Sequence, residues 1–496
     1  MNKFRKEFSK FNWKLFLLTL PVTSFPLLAK AFGGTMVAPL AFLPMLALLL
    51  TVVIPEFLKN RTLPRQFQPI YFFFLFALFS TFLAYMRELP SFRDVPVLRN
   101  AAEGFITLLF GFGFYLSTIY LLKDEQQFRE AMQWMNAGGA VIIVIVLAQF
   151  IAFKAFGSFP KFLIWIQKAF SASGMLYERR GNGLAYEPSW LAHQLNILYI
   201  PLWLGFTVRK ETVYPMHLFG KVSFENLLLA GGILSMFLSF SRIGWLAIIA
   251  IFMVLFVRAS NRIANSVLEK REANSVKGMN KNQRIVAKIS LWVSVLLVMI
   301  VFISIAGVIM WRLEPRMANL FNFTLLRQYG IMGWASRLSI AERFTYWQAA
   351  FNVYLKFPWF GSGLGVSGYY FPETIPSFGY QLPETLRALL YESFIPNAKN
   401  LWVRLLAETG IVGFSIFTAW LVLHWRTARE LERINESGLL STISLAGQLL
   451  IIALLFEGFS LDTFGLPYYW VGLGLIVAAW RVRFTAPISS SPQKSD

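Results

Sequence analysis

Runs of about 20 apolar residues, the length needed to cross roughly 30 Å of hydrocarbon, recur along this chain between short polar segments. About twelve membrane spans are predicted on that criterion. They fall at 11–32, 36–58, 67–87, 98–122, 132–156, 187–207, 222–240, 242–258, 288–311, 400–425, 439–458 and 464–482. The second is interrupted by Pro39 and Pro44, and the seventh and eighth form a tight pair on either side of Ser241-Arg242. The pattern predicts an all-α polytopic membrane helix bundle. Nine spans occupy 1–311, a large and partly helical extracytoplasmic loop follows over 312–399, three spans fill 400–482, and 483–496 is a cytoplasmic tail. The polar stretch from Trp311 to Leu401 departs most from this pattern. A bilayer span needs no such insertion, so water-side chemistry or recognition is expected there.

Composition agrees with a membrane chain. Hydrophobic residues make up 56% of it and charged ones 15%, well below the roughly 25% of soluble domains. Fifty Phe and sixteen Trp suit lipid-facing and interfacial positions. The net charge of +20 does not point to nucleic acid, because the basic residues sit in short clusters between apolar runs. Positive-inside bias places such clusters on the cytoplasmic side. With the N-terminus inside, that side holds Lys59, Arg61 and Arg65, then Arg209, Lys210 and Lys221. It also holds the segment 258–288, with Arg258, Arg262, Lys270, Arg271, Lys277, Lys281, Arg284 and Lys288, and both termini come out cytoplasmic. Lys3, Arg5, Lys6, Lys10 and Lys14 precede the first span without a small-residue cleavage site after it, so that span is expected to be a signal anchor. The tail, with Ser489-Ser490-Ser491-Pro492, is expected to be disordered. Absence of cysteine excludes a disulfide framework and a thiol nucleophile.

The same orientation leaves Lys154, Lys161, Lys168, Arg179, Arg180, Arg242, Arg337, Arg343 and Lys399 outside. Long loops translocate regardless of charge, but Arg242 and Lys399 lie close to spans. Cations held at a membrane face suit an anionic substrate such as phosphate. Arg242 follows Leu238-Ser239-Phe240-Ser241, and an arginine at the end of an apolar run is a functional-site candidate. The plain alternative is an arginine reaching up to lipid headgroups. Arg343 lies on an amphipathic helical pattern, where a solvated pair with Glu342 is the plain alternative, and Arg337 is a neighbour of similar chemistry. Two arginines from different spans could grip a diphosphate bidentately. Gly361, Gly363 and Gly365 lack the βαβ context of a dinucleotide site and predict a tight turn after Pro358. Of three histidines, His217 and His424 are expected in or beside cytoplasmic loops and His193 as a satisfied core residue. No pair has metal-ligand spacing, so neither a metal site nor a cofactor is expected. Glu187, Glu373, Glu384, Glu392 and Glu408 are carboxylates from which a general base could come, without a pairing that singles one out.

Several of these segments together resemble the bacterial O-antigen ligase and O-antigen polymerase superfamily. They are Phe240-Ser241-Arg242-x-Gly244-Trp245, Ser339…Arg343…Trp347 and Phe357-Pro358-x-x-Gly361-x-Gly363-Leu364-Gly365. Asn400-Leu401…Leu406-Ala407-Glu408-Thr409-Gly410-Ile411-Val412-Gly413 follows, and Arg180-Gly181…Glu187-Pro188 lies upstream. The likeness covers roughly 178–415 and rests on order and spacing around a large loop. It implies transfer of a glycan from an undecaprenyl diphosphate donor to a sugar hydroxyl acceptor, without a metal, at the outer face of the bacterial inner membrane. Arg242 and Arg343 take the family's arginine roles on the diphosphate, with Lys399 as a further catalytic candidate. Arg180, Glu187, Arg337 and Asn400 become candidate substrate contacts, and a chain-length regulator becomes a candidate partner. The family's loop histidine is missing: its place reads Ala398-Lys399-Asn400. Lysine there is a base only if its pKa is strongly depressed, or else a third cation on the diphosphate.

That departure favours a polymerase of lipid-linked repeat units, building O-antigen or exopolysaccharide, over a ligase moving finished glycan onto lipid A core. A transporter is the reading from a different class. It is disfavoured by the absence of a repeat between the halves and of a matched pair of acidic residues buried in mid-span.

Overall fold

The computed structural model describes residues 3–485 apart from 62, 93–94, 218–219, 221, 274–280, 314–321, 339, 393 and 436. Lys221, Lys277, Ser339 and the tail from 486 onward therefore lie outside the described residues. The chain divides into two compact units, one made of residues up to 245 with those from 345 on, the other of 246–344. The described residues form helices and no strands, as expected of an all-α polytopic bundle.

Helices long and apolar enough to cross a membrane number eight among the described residues. They are α2 (Phe42–Asn60), α3 (Arg65–Tyr85), α4 (Val97–Leu121), α5 (Glu125–Phe156), α6 (Pro188–Arg209), the first part of α8 (Arg242–Ala273), α13 (Leu401–Ile434) and α14 (Gly438–Glu457). The other four apolar runs fold as helices that are shorter or more polar. Charged side chains dominate the start of α1 (Lys3–Thr19). Only 15 residues make up α7 (Phe224–Leu238). The helix α9 (Lys281–Leu313) contains a shorter apolar stretch, Ile285–Val298. The last, α15 (Tyr468–Thr485), carries Arg481 and Arg483 in its final turns.

Two of the long helices contain a π turn, and a proline explains each. Leu49–Val53 precedes Pro55, and Leu195–Tyr199 precedes Pro201. Proline lacks an amide hydrogen and its ring crowds the carbonyl four residues back, so the wider turn absorbs the conflict. In α2 the stranded carbonyl, that of Thr51, accepts the Arg5 guanidinium Nε at 2.7 Å.

Within the first unit α6 is the central helix, the most deeply buried of the eight, and packs on α7 and α14. In the same unit α13 packs on α3, α14 and α15, and α15 on α4. Trp203, Trp420 and Trp470 are fully buried there, with Trp420 and Trp470 ring centroids 5.2 Å apart. His424 belongs to this interior and not to a loop. Its Nε2 meets the Tyr115 hydroxyl at 2.8 Å, and its Nδ1 lies 2.8 Å from the Trp420 carbonyl. The reason is length: α13 continues to Ile434, well past the expected end at 425. His217 is exposed between α6 and α7.

The second unit holds most of α8, then α9, α10 (Phe323–Arg337) and the first residues of α11 (Ala341–Lys356). Gly330 breaks α10 with φ 66° and ψ 179°.

Candidate functional site

The connection between α7 and α8 is as tight as its sequence predicts. Phe240 takes a left-handed backbone, φ 49°, which reverses the chain within three residues. Ser239 Oγ accepts the Ser241 amide at 3.2 Å, and Ser241 Oγ accepts the Gly244 amide at 3.3 Å. The second bond caps the N-terminus of α8, whose first residue is the half-buried Arg242. The upstream motif docks on this turn. Gly181 N donates to Leu238 O at 2.9 Å, and Arg180 Nε donates to Ser239 O at 2.9 Å. Arg180 and the Arg242 turn are therefore brought together.

Glu187 stands at the head of α6 and accepts the Ser189 hydroxyl. Its carboxylate adds to the effect of burial in raising the Tyr177 and Tyr186 phenols above their ordinary range, and the Arg180 guanidinium opposes that rise at Tyr177. Arg180, Glu187 and the two phenols form one electrostatic neighbourhood beside the turn.

Lys399 adopts a left-handed backbone, φ 49°. Its ammonium pairs with Glu384 of α12 (Pro383–Leu390) and lies 4.3 Å from the centroid of the Tyr346 ring. The ammonium is thus held between a carboxylate and an aromatic face. Asn400 caps α13. Its Oδ1 accepts the Trp402 and Val403 amides at 2.9 and 3.2 Å, while its buried Nδ2 has no hydrogen-bond partner among the described residues. The amide hydrogen of Leu401 reaches Gly458 O, just beyond α14, at 2.7 Å.

The glycine run is a turn, and its purpose is packing. Gly361, Gly363 and Gly365 have φ of 77°, 95° and 74°. Gly410 breaks α13 at φ 61° and frees carbonyls one turn earlier. Ser362 N and Gly363 N take those of Ala407 and Glu408 at 2.9 and 3.0 Å, and Ile411 N returns a bond to Pro358 O at 2.8 Å. Below this junction Glu408 is buried with Arg404, Nε to Oε2 3.0 Å, and accepts the Ser367 hydroxyl at 3.2 Å. Arg404 also reaches the Asp462 carbonyl. Glu408 therefore has a defined partner, which sequence spacing alone did not single out.

Arg337 and Arg343 belong to the second unit. Arg343 is half-buried in the first turn of α11. Arg337 ends α10 exposed, its guanidinium 4.1 Å from the Tyr329 ring.

One polar cluster escaped the sequence. His193 in α6 is fully buried, with Nδ1 2.7 Å from Glu457 Oε2 at the end of α14. The other carboxylate oxygen accepts Asn196 Nδ2 at 2.6 Å, and that same nitrogen donates to Gly244 O at 2.8 Å. Glu457 at the edge of an apolar run was the available signal, but its partners lie 264 and 261 residues away. Among the described residues no group of three or more His, Asp or Glu side chains is arranged as metal ligands.

Residues 227–418 match the family model described as O-antigen ligase, in line with the resemblance read from the sequence. Among curated proteins none matches the chain.

Proposed function

From the O-antigen ligase domain at 227–418, we propose a glycosyltransferase that polymerises undecaprenyl-diphosphate-linked repeat units into O-antigen or exopolysaccharide. The observation that carries this reading is Arg242. It heads α8 in a turn braced by Arg180, at an end of the first unit that also holds Glu187, Asn400 and the Lys399 ammonium. In the proposed reaction the anomeric carbon of the donor passes from the diphosphate oxygen to a sugar hydroxyl of the acceptor. Charge builds on the departing diphosphate, and fixed guanidinium groups stabilise it without reorganising. Arg242 is assigned to that diphosphate, with Arg343 as the second arginine on the strength of the motif order. Lys399 serves as an additional cation. No metal is needed for this role, because the cations supply the charge.

The proposed setting is the bacterial inner membrane, with both termini cytoplasmic and the Arg242 end outside. A chain-length regulator is a candidate partner. The matched family's description favours a second reading, a ligase that moves lipid-linked glycan onto lipid A core. The absence of a loop histidine at 398–400 favours the polymerase.

Cells lacking their own copy, supplied with wild type, Arg242→Ala or Arg343→Ala, test this. Polymerase activity predicts a ladder of chain lengths for wild type and single repeat units for both variants. Normal ladders from the variants would remove these arginines from the reaction.

A further inference from the structure

The transfer step releases a proton from the acceptor hydroxyl, and the Lys399 ammonium is already engaged by Glu384 and the Tyr346 ring. His193 is differently placed. Nδ1 lies 2.7 Å from Glu457 Oε2, and with the imidazole hydrogen on Nδ1 the ring donates to that oxygen. In that tautomer Nε2 keeps its lone pair, and it is buried without a hydrogen-bond partner among the described residues. The neighbouring Gln194 side chain is also buried with both amide atoms unpartnered among those residues. A carboxylate that orients an imidazole through Nδ1 and leaves Nε2 basic is the arrangement that general-base catalysis uses.

Position argues in the same direction. Through Asn196 the carboxylate is tied to the Gly244 carbonyl, in the first turn of the helix that Arg242 begins. The next residue after Glu457, Gly458, accepts the amide of Leu401, beside Asn400. The pair thus lies between two of the segments that carry the family's likeness. A carboxylate buried in a bundle loses its hydration, a cost that an apolar pair of similar volume would avoid.

We propose that His193 and Glu457 are the proton-accepting pair of the transfer reaction, an inference that rests on the glycosyltransferase reading above. As the acceptor oxygen bonds to the donor's anomeric carbon, its proton moves to His193 Nε2. The bond from that carbon to the diphosphate oxygen breaks, and its electrons leave with the diphosphate. Glu457 stabilises the imidazolium until the proton departs with the products.

Glu457→Gln separates this role from simple packing. The glutamine oxygen still accepts from Asn196, but its amide must donate to His193 Nδ1, which forces the ring hydrogen onto Nε2. The cluster keeps its shape and hydrogen bonds while the basic nitrogen is lost. His193→Asn keeps a donor to Glu457 and removes the base. The substrate is the lipid-linked glycan that accumulates in cells lacking this chain, offered to purified protein. Binding of undecaprenyl diphosphate and the unfolding midpoint are measured in parallel. Both variants are expected to lose roughly 100-fold or more in transfer rate, with binding and folding unchanged. Wild-type rates in both variants, or a loss matched by lost folding or binding, would reduce the pair to a packing contact. A wild type that binds undecaprenyl diphosphate but never consumes the glycan donor would overturn the transferase reading, and the pair's role with it.

Discussion

Replacing Gly361 by alanine tests whether the glycine turn is a docking joint for the broken helix α13. Its φ of 77° costs an L-residue about 1–2 kcal/mol. The new methyl carbon would also lie 2.4 Å from the carbonyl carbon and oxygen of Glu408 and from the Thr409 nitrogen. These are backbone atoms at a helix break and cannot rotate away, so overpacking adds about 1–3 kcal/mol. If the turn retreats instead, the bonds from Ser362 and Gly363 to Ala407 and Glu408 are lost, at about 1 kcal/mol each. The expected loss is roughly 2–5 kcal/mol from these terms together. Gly157→Ala is the matched control. Gly157 ends α5 with φ 65° and has nothing within 4 Å of its added carbon, so only the backbone term of about 1–2 kcal/mol applies. Unfolding by SDS titration in mixed micelles, followed by tryptophan fluorescence, measures both. Equal losses from the two variants would refute the docking argument, because the steric term is all that separates them.

Arg404→Met leaves the Glu408 carboxylate buried without its partner and is expected to cost about 3–5 kcal/mol in the same titration, with partial recovery in the Arg404→Met/Glu408→Gln double variant. Asn400→Ala removes the acceptor for two amides at the head of α13, for a loss of about 1–2 kcal/mol, whereas Asn400→Asp retains most of the cap. Lys399→Met breaks a half-exposed ion pair and should change folding by less than about 1 kcal/mol. It should slow transfer while Lys399→Arg preserves it, and equal rates in the two would take the cation off the substrate.

Much of this architecture was legible in the chain because a bilayer imposes long apolar runs. Eight of the twelve predicted spans became helices long and apolar enough to cross a membrane and the other four hold shorter or more polar helices, and the sharp reversal at Ser241-Arg242 follows from two apolar runs separated by almost no chain. The glycine run was readable as a turn but its partner was not. The carbonyls it binds exist only because Gly410 interrupts α13, and a lone glycine in an apolar run does not announce a break. Helix ends were the weakest expectation: α13 runs past 425, and so His424 sits in the core against Tyr115. The His193–Glu457 contact could not be read at all. It joins two helices 264 residues apart, and only the tertiary packing of α6 on α14 brings the two groups together.

The most direct measurement is conversion of the lipid-linked glycan by the purified, reconstituted chain, with lipid diphosphate and glycan length followed in the same samples. The account predicts that lipid diphosphate appears as the glycan lengthens and that Arg242→Ala abolishes both. Movement of the precursor across the bilayer with its glycan and diphosphate linkage intact would contradict it and establish a transporter.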